Sequence, residues 1–407
     1  MRLLDDWIKN YLVLNEHNEA PMSFHFWTGV GVIASALRRK VWLPMGYFEW
    51  TPNFYVVLVA PPGIVNKSTS ISIGQRLLDD VPGIRFGSTS VTWQAMIGEL
   101  ASASEAVLME DGNFYQMSCL SFFVSELGTF MDFEDKRMID MMVELWDGKL
   151  GTFSRSTMGN GITDVTNPWV NMISCTTPAW LSDNMPKTMV EGGFSARCIW
   201  VYENKKRQRI AYPQLLMMPE TMKELRRKLV HDLEQIALLK GPYTLTKDAY
   251  AYGTDWYNTH CDKLEGTNGQ RNGISGYMAR AQTHMHKLAM VLSASRRGDL
   301  IISRRELEDA ASILSEVEGE VPQVFTALST TVEMEKAGDI VTIILTRKRI
   351  RRTELYQMFF HKMSSKEFGE AISSAIDAGY IRQSQSGTTV WLEALLPVPS
   401  QTPSQSP

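Results

Sequence analysis

The run Phe54-Tyr55-Val56-Val57-Leu58-Val59 passes directly into Ala60-Pro61-Pro62-Gly63-Ile64-Val65-Asn66-Lys67-Ser68-Thr69. A strand that is apolar on both faces has to be covered on both sides, which points to the centre of a helix-covered parallel sheet and hence to an α/β fold. The segment after it has the spacing G-x-x-x-x-G-K-[ST], with Pro61 and Asn66 standing at the two glycine positions. A phosphate-binding loop needs backbone N–H groups turned inward, a Lys reaching the β- and γ-oxygens, and a hydroxyl on Mg²⁺ at the start of the next helix. Pro62, Gly63, Ile64, Val65, Asn66, Lys67, Ser68 and Thr69 are therefore the candidate ATP-binding residues, with Lys67 the catalytic cation and Ser68 a ligand of Mg²⁺. Pro61 has no N–H and a fixed φ, so Gly63 is expected to supply the freedom that it lacks. Asn66 is the non-glycine residue type that best tolerates positive φ. A Pro-Gly turn that merely contains a Lys would look the same, so the rest of the chain has to decide.

At 407 residues the chain is long enough for two or three domains. Its 44% hydrophobic and 21% charged residues are those of an ordinary folded protein. No run reaches the roughly 18–20 apolar residues of a membrane span, and the acidic start Met1-Arg2-Leu3-Leu4-Asp5-Asp6 lacks the pattern of a secretory signal, so a cytoplasmic protein with no membrane partner is expected. Cys119, Cys175, Cys198 and Cys261 lie far apart without a C-x-x-C pair and read as free thiols. His284 and His286 are at i, i+2 on a predicted helix, where they face apart, so no zinc site is expected. The net charge of −4 excludes indiscriminate nucleic-acid binding, but residues 336–395 hold nine Lys/Arg against six Asp/Glu, so DNA contact is expected to be local.

Along the chain, residues 1–39 form an N-terminal helical segment, with helices over 2–15 and 23–39. Residues 40–215 alternate helices with apolar strands as an α/β core, in which Pro44–Asn53 is a Pro/Gly turn and Asp147–Thr166 a Gly/Ser/Thr-rich loop. Residues 216–335 turn helical, 336–395 form a compact unit, and 396–407 is a Pro/Ser/Gln tail expected to be disordered.

A P-loop ATPase needs a second strand ending in an acid that orders Mg²⁺ and activates water. Leu120-Ser121-Phe122-Phe123-Val124-Ser125-Glu126 supplies it about 60 residues after Lys67, with Ser125 where Asp is usual, so Mg²⁺ would be held partly through water. Glu126 is the candidate catalytic base and metal-ordering acid. Thr176 and Thr177 end the next strand and are candidate γ-phosphate sensors, although Thr before Pro178 also reads as a helix cap. Arg197, after Glu191-Gly192-Gly193-Phe194, is a candidate catalytic Arg acting across a subunit interface. Lys149 and Arg155, in the loop before the sensor strand, are candidate contacts to a phosphate backbone.

In the last unit, Asp339–Leu345, Arg351–Phe360 and Ser364–Ala378 read as three helices, the third opened by a capping box, and 380–383 and 388–392 as a two-stranded wing. The third helix carries Glu367, Glu370 and Asp377 beside Lys366, a poor major-groove face, whereas Arg347, Lys348, Arg349, Arg351 and Arg352 concentrate positive charge and are the candidate DNA-binding residues. Such winged helix-turn-helix units contact either DNA or protein.

With the loop at 60–69, the Ser-Glu strand, Thr176-Thr177-Pro178 and Gly192-Gly193-Phe194-x-x-Arg197 in this order, the chain resembles phage and prophage primase-helicase-type P-loop ATPases over about residues 25–205. The resemblance implies a RecA/AAA-like core and a homo-oligomeric, hexameric ring. It further implies ATP-driven helicase or translocase work on single-stranded or forked DNA in a bacterial host cytoplasm, with a possible replisome partner. A helicase loader or DNA-binding adaptor that uses nucleotide without unwinding is the alternative.

Overall fold

The computed structural model describes residues 1–157, 161–186, 189, 193–212, 219–266, 275–361, 363–377, 379–387 and 389–395. The chain is mixed α/β and divides into two compact units, Met1–Phe325 and Thr326–Pro407. Residues 1–39, the α/β region and most of the helical region thus belong to one unit, and the second begins ten residues before the expected 336. The tail 396–407 lies outside the described residues.

The first unit is built on a five-stranded sheet. Its strands are β3 (Tyr55–Val59), β4 (Ser104–Leu108), β5 (Phe114–Val124), β8 (Pro168–Thr176) and β9 (Cys198–Tyr202), in the order β4-β5-β8-β3-β9. A small ladder precedes it, β1 (Val41–Pro44) against β2 (Glu49–Trp50), and a hairpin of β6 (Thr152–Thr157) and β7 (Gly161–Thr166) is inserted before β8. The β5–β8, β8–β3 and β3–β9 pairs are all parallel, and only the edge strand β4 runs antiparallel. Every residue of β3 and β8 is buried; β3 is apolar throughout, and β8 buries Asn171, Ser174 and Thr176 among its apolar residues.

The helices of this unit are α1 (Trp7–Leu14), α2 (Met22–Leu37), α3 (Lys67–Leu78), α4 (Trp93–Ser102), α5 (Leu127–Phe130), α6 (Lys136–Asp147), α7 (Pro178–Asn184), α8 (Pro219–Ala237), α9 (Lys247–Gly266) and α10 (Ala281–Arg296); a further helix, α11 (Arg304–Arg347), supplies residues to both units. The α2 helix is apolar almost all round and is buried against the sheet and α3. Gly31 and Gly74 let backbones approach there: a Cβ on Gly31 would lie 2.2 Å from Ile173 and one on Gly74 2.4 Å from Thr28. The α6 helix is capped by Asp135, whose carboxylate accepts from the Arg137 and Met138 amides, and ends at Gly148 in the left-handed region. Phe130 closes α5, and residues 131–135 separate it from α6.

The 147–166 segment is the β6–β7 hairpin rather than a loop. Its polar strands turn only Phe153 and Val165 into the interior among its assigned side chains, too little apolar patterning to register as strands. The tip, 158–160, lies outside the described residues.

In the second unit, the end of α11 packs with α12 (Arg352–Phe359) and α13 (Ser365–Asp377) around Ile340, Ile344, Leu355, Phe359, Phe368 and Ile372. A three-stranded antiparallel sheet accompanies them, β10 (Arg349–Arg351), β12 (Thr389–Ala394) and β11 (Ile381–Ser386), with β12 in the middle. The expected capping box is present: the Ser364 amide donates to Glu367 Oε2 at 2.8 Å and the Glu367 amide to Ser364 Oγ at 3.3 Å.

Candidate functional site

The parallel strands deliver their carboxyl ends to one edge of the sheet, where ligands of open α/β sheets bind. Val59 is paired with Thr176 across β3–β8, and Val124 with Ser174 across β8–β5. Continuing that register puts Glu126 level with Thr176. Lys67, Thr176 and Glu126 thus converge on one edge, with the strands of Lys67 and Glu126 about 10 Å apart on either side of Thr176.

The loop between β3 and α3 carries its left-handed residue at Gly63, φ +69°, with no atom within 4 Å of a Cβ placed there. Gly63 supplies the freedom that Pro61 lacks, as the sequence requires. Asn66 does not use its tolerance for positive φ: at φ −81° it is the residue before α3 and makes no side-chain cap bond to the first turn. Its Nδ2 instead donates to Glu19 Oε2 at 2.9 Å. The first turn of α3 therefore keeps its N–H groups uncapped by side chains, and Ser68 and Thr69 are exposed. Uncapped helix amides with adjacent hydroxyls form a site for an oxyanion and a hard cation.

Lys67 is only 8% exposed and its Nζ donates to Ala60 O at 2.6 Å, folding the ammonium back over its own loop. Burial lowers its pKa, opposed by Cys175 and Glu126. Glu126 is half-buried; burial raises its carboxyl above the ordinary range while Lys67 pulls it down. Cys175 lies beneath both, its thiol pushed up to about 12 by burial and donating to Ser125 O at 2.7 Å. Lys67 and Glu126 each act on the other's charge, and both act on Cys175. Ser125 is exposed, next to Glu126.

The two threonines divide their roles. Thr177 Oγ accepts the Trp180 amide at 3.1 Å and caps α7, with Pro178 in the first turn. Thr176 is fully buried and its Oγ1 has no hydrogen-bond partner among the described residues, so of the pair it retains a polar atom to spend at this edge.

Arg197 lies elsewhere. Cys198 pairs with Tyr55, so Arg197 stands at the amino edge, about 17 Å along the strand direction from the end of β3. It is 5% exposed, donates twice to Asp147 at 2.9 and 2.8 Å and once to Gly193 O at 2.7 Å, and lies over the Trp146 ring. A guanidinium committed in this way inside its own chain is not presented to a neighbouring subunit. Glu191 and Gly192 of its loop lie outside the described residues.

The candidate DNA contacts are unequally available. Lys149 is exposed, whereas Arg155 pairs with Glu144 at 2.5 Å and lies over Phe153. In the second unit Arg347 pairs with Glu354 and Arg349 with Glu393, and both Arg349 and Arg351 lie over Trp391. Lys348 is exposed and Arg352 partly so, and neither has an ion pair among the described residues.

Sequence reasoning missed Glu19. Its carboxylate accepts from Asn66, from Lys206 Nζ at 2.7 Å and from the Ile210 amide at 2.9 Å, and the Lys206 bond leads in holding it below the usual carboxylate range. It ties the loop to the segments on either side, and an acid 47 residues upstream of Asn66 gives no local signal of that.

Among the described residues no group of three or more His, Cys, Asp and Glu could hold a metal ion, and no helix is long and apolar enough to cross a membrane. His284 and His286 are buried and bonded to the separate carbonyls of Ala196 and Gln282. No protein-family model matches the chain, and none of the curated proteins matches it.

Proposed function

We propose that the chain is an ATP-hydrolysing P-loop ATPase with a RecA/AAA-like core and a C-terminal winged helix, working as a ring-forming DNA helicase or translocase in phage DNA replication. The observation that carries this reading is the meeting of Lys67, Glu126 and Thr176 at the carboxyl edge of β3, β5 and β8.

In this reading the uncapped start of α3 and the loop at Gly63–Val65 receive phosphate oxygens, and Lys67 exchanges the Ala60 carbonyl for them. The Ser68 hydroxyl and Glu126 fit a Mg²⁺ ion, with water completing its shell because Ser125 offers no carboxylate. Magnesium would supply charge neutralisation at the phosphates. Glu126 takes a proton from water, and its raised pKa suits that task. Thr176 is the sensor, Thr177 holds α7, and Arg197 with Asp147 is a strut of the amino edge.

Turnover of Mg-ATP by Lys67→Ala and Glu126→Gln tests the assignment. Each is expected to lose at least about a hundredfold in rate, the scale of removing one preorganised electrostatic group. Normal turnover in the Lys67 variant sinks it.

A specific observation supports the loader or adaptor as a second reading. The exposed positions of α13 are mainly acidic or neutral, and Arg347 and Arg349 are already paired, so the second unit suits a protein partner at least as well as DNA. Strand displacement on a forked duplex separates the two, since a loader hydrolyses ATP without unwinding.

A further inference from the structure

A cavity of about 740 Å³ opens at the amino edge of the sheet, on the side away from Lys67. Its walls are the β1–β2 turn, the end of α6, and α10 with the residues just before it. The turn places Tyr47 fully in solvent and Phe48 more than half exposed, with Trp50 beside Phe48 at 5.6 Å between ring centroids. Exposed aromatic rings gathered at a cavity mouth are costly in water and mark a surface kept for binding.

The charges lining the cavity do not balance. Glu49 is paired with Arg39, and Asp147 with Arg197. Among the described residues that leaves Lys149, Arg280 and Lys287 without an ion pair. Arg280 is partly buried, and among the described residues the one hydrogen bond of its guanidinium goes to Gly276 O at 3.4 Å. Lys287 is 1% exposed, bonded to Asn53 Oδ1 at 2.6 Å and Trp146 O at 3.1 Å, and its Nζ lies 3.7 Å from the centroid of the Trp146 ring. Burying cations against neutral partners is unfavourable, and an anion entering the cavity relieves it.

We propose that this cavity binds one nucleotide unit, its phosphate at Arg280 and Lys149 and its base against Tyr47 and Phe48, independently of the P-loop. The cavity falls in the size range of small-ligand sites. Aromatic rings take bases with little regard to sequence, and Arg and Lys take the phosphate. A long basic track is absent: beyond Leu150 the neighbouring cavity is lined by Glu49, Glu110 and Asp111 against the single cation Lys240. The positive patch therefore accommodates one unit, whether a free nucleotide or the terminal unit of a single strand. Nothing in this site depends on ATP hydrolysis at Lys67.

The test is calorimetric titration of the Lys67→Ala protein, whose P-loop is disabled, with AMP and separately with 5′-phosphorylated hexathymidylate. Saturable binding of at least one probe is expected, and which one binds tells free nucleotide from strand end. Arg280→Gln and the pair Tyr47→Ala with Phe48→Ala should each weaken it about tenfold or more, with Arg280→Lys recovering part of the loss. Circular dichroism of each variant shows whether it is folded. Three results overturn the proposal: neither probe binds; binding is unchanged in the folded variants; or Arg280→Gln, in the protein with Lys67 intact, abolishes ATP turnover while probe binding persists, which assigns Arg280 to a neighbouring copy's ATP site. Absence of ATPase activity in the intact protein would sink the P-loop reading and leave this site standing.

Discussion

In the proposed ATPase, Glu126 and Lys67 are the residues whose environment most directly sets the chemistry. Burial raises the Glu126 carboxyl and lowers the Lys67 ammonium, so the pair is driven toward neutrality from both sides. The base is active when ionised and the lysine when charged. The acid limb of kcat/KM for ATP is therefore expected above the ordinary Glu value of 4.5, and the alkaline limb below the ordinary Lys value of 10.5. A pH–rate profile of the intact protein checks both limbs, and limbs at the unperturbed values would detach the two groups from turnover. The same scale explains what the sequence could say about Arg197. A glycine-supported Arg before a strand was visible, but its carboxylate partner Asp147 is 50 residues away and its commitment appears only on folding. Glu19 and Arg280 were invisible for the same reason.

At the scale of elements, the α2–α3 contact holds the first turn of α3 in place. Gly74→Ala would push a methyl to 2.4 Å from Thr28 Cγ2 and 3.0 Å from Val32 Cγ2, both on a buried helix. A loss of about 1–3 kcal/mol is expected in urea unfolding, since a packed helix face cannot yield, together with weaker ATP binding. Ser364→Ala removes half of the capping box of α13 and should cost about 1 kcal/mol, read as a lower melting temperature. These elements also show what was legible. The strands β3 and β9 announced themselves because burial on both faces demands unbroken apolar runs, and β5 and β8 because Leu120–Val124 and Trp169–Cys175 are mainly apolar although Ser121, Asn171 and Ser174 interrupt them. The β6–β7 hairpin, the edge strand β4 and β10 did not, because strands with an open face carry polar residues and their pairing is decided by distant partners. The helix α11 runs past the expected boundary at 335 to Arg347, absorbing the helix expected over Asp339–Leu345. The aromatic turn at Tyr47–Trp50 was readable only as Pro/Gly punctuation, although three aromatic residues in so short a turn were a signal of binding.

For the whole molecule, the reading as a ring motor requires assembly. Particle mass measured by light scattering is expected to rise to that of a hexamer when Mg-ATP and single-stranded DNA are both present, and an unchanged monomer mass under those conditions removes the motor reading. What such a machine would move is constrained by β8. This strand is buried at all nine residues and hydrogen-bonded on both sides, to β3 and β5. One of its ends is Thr176, at the carboxyl edge, and the other continues through Asn167 into the β6–β7 hairpin. A stiff rod of about 30 Å gripped along both flanks neither bends nor stretches. A displacement imposed at Thr176 would therefore be shared with β3 and β5 through those two ladders, so the three strands would have to move as one plate.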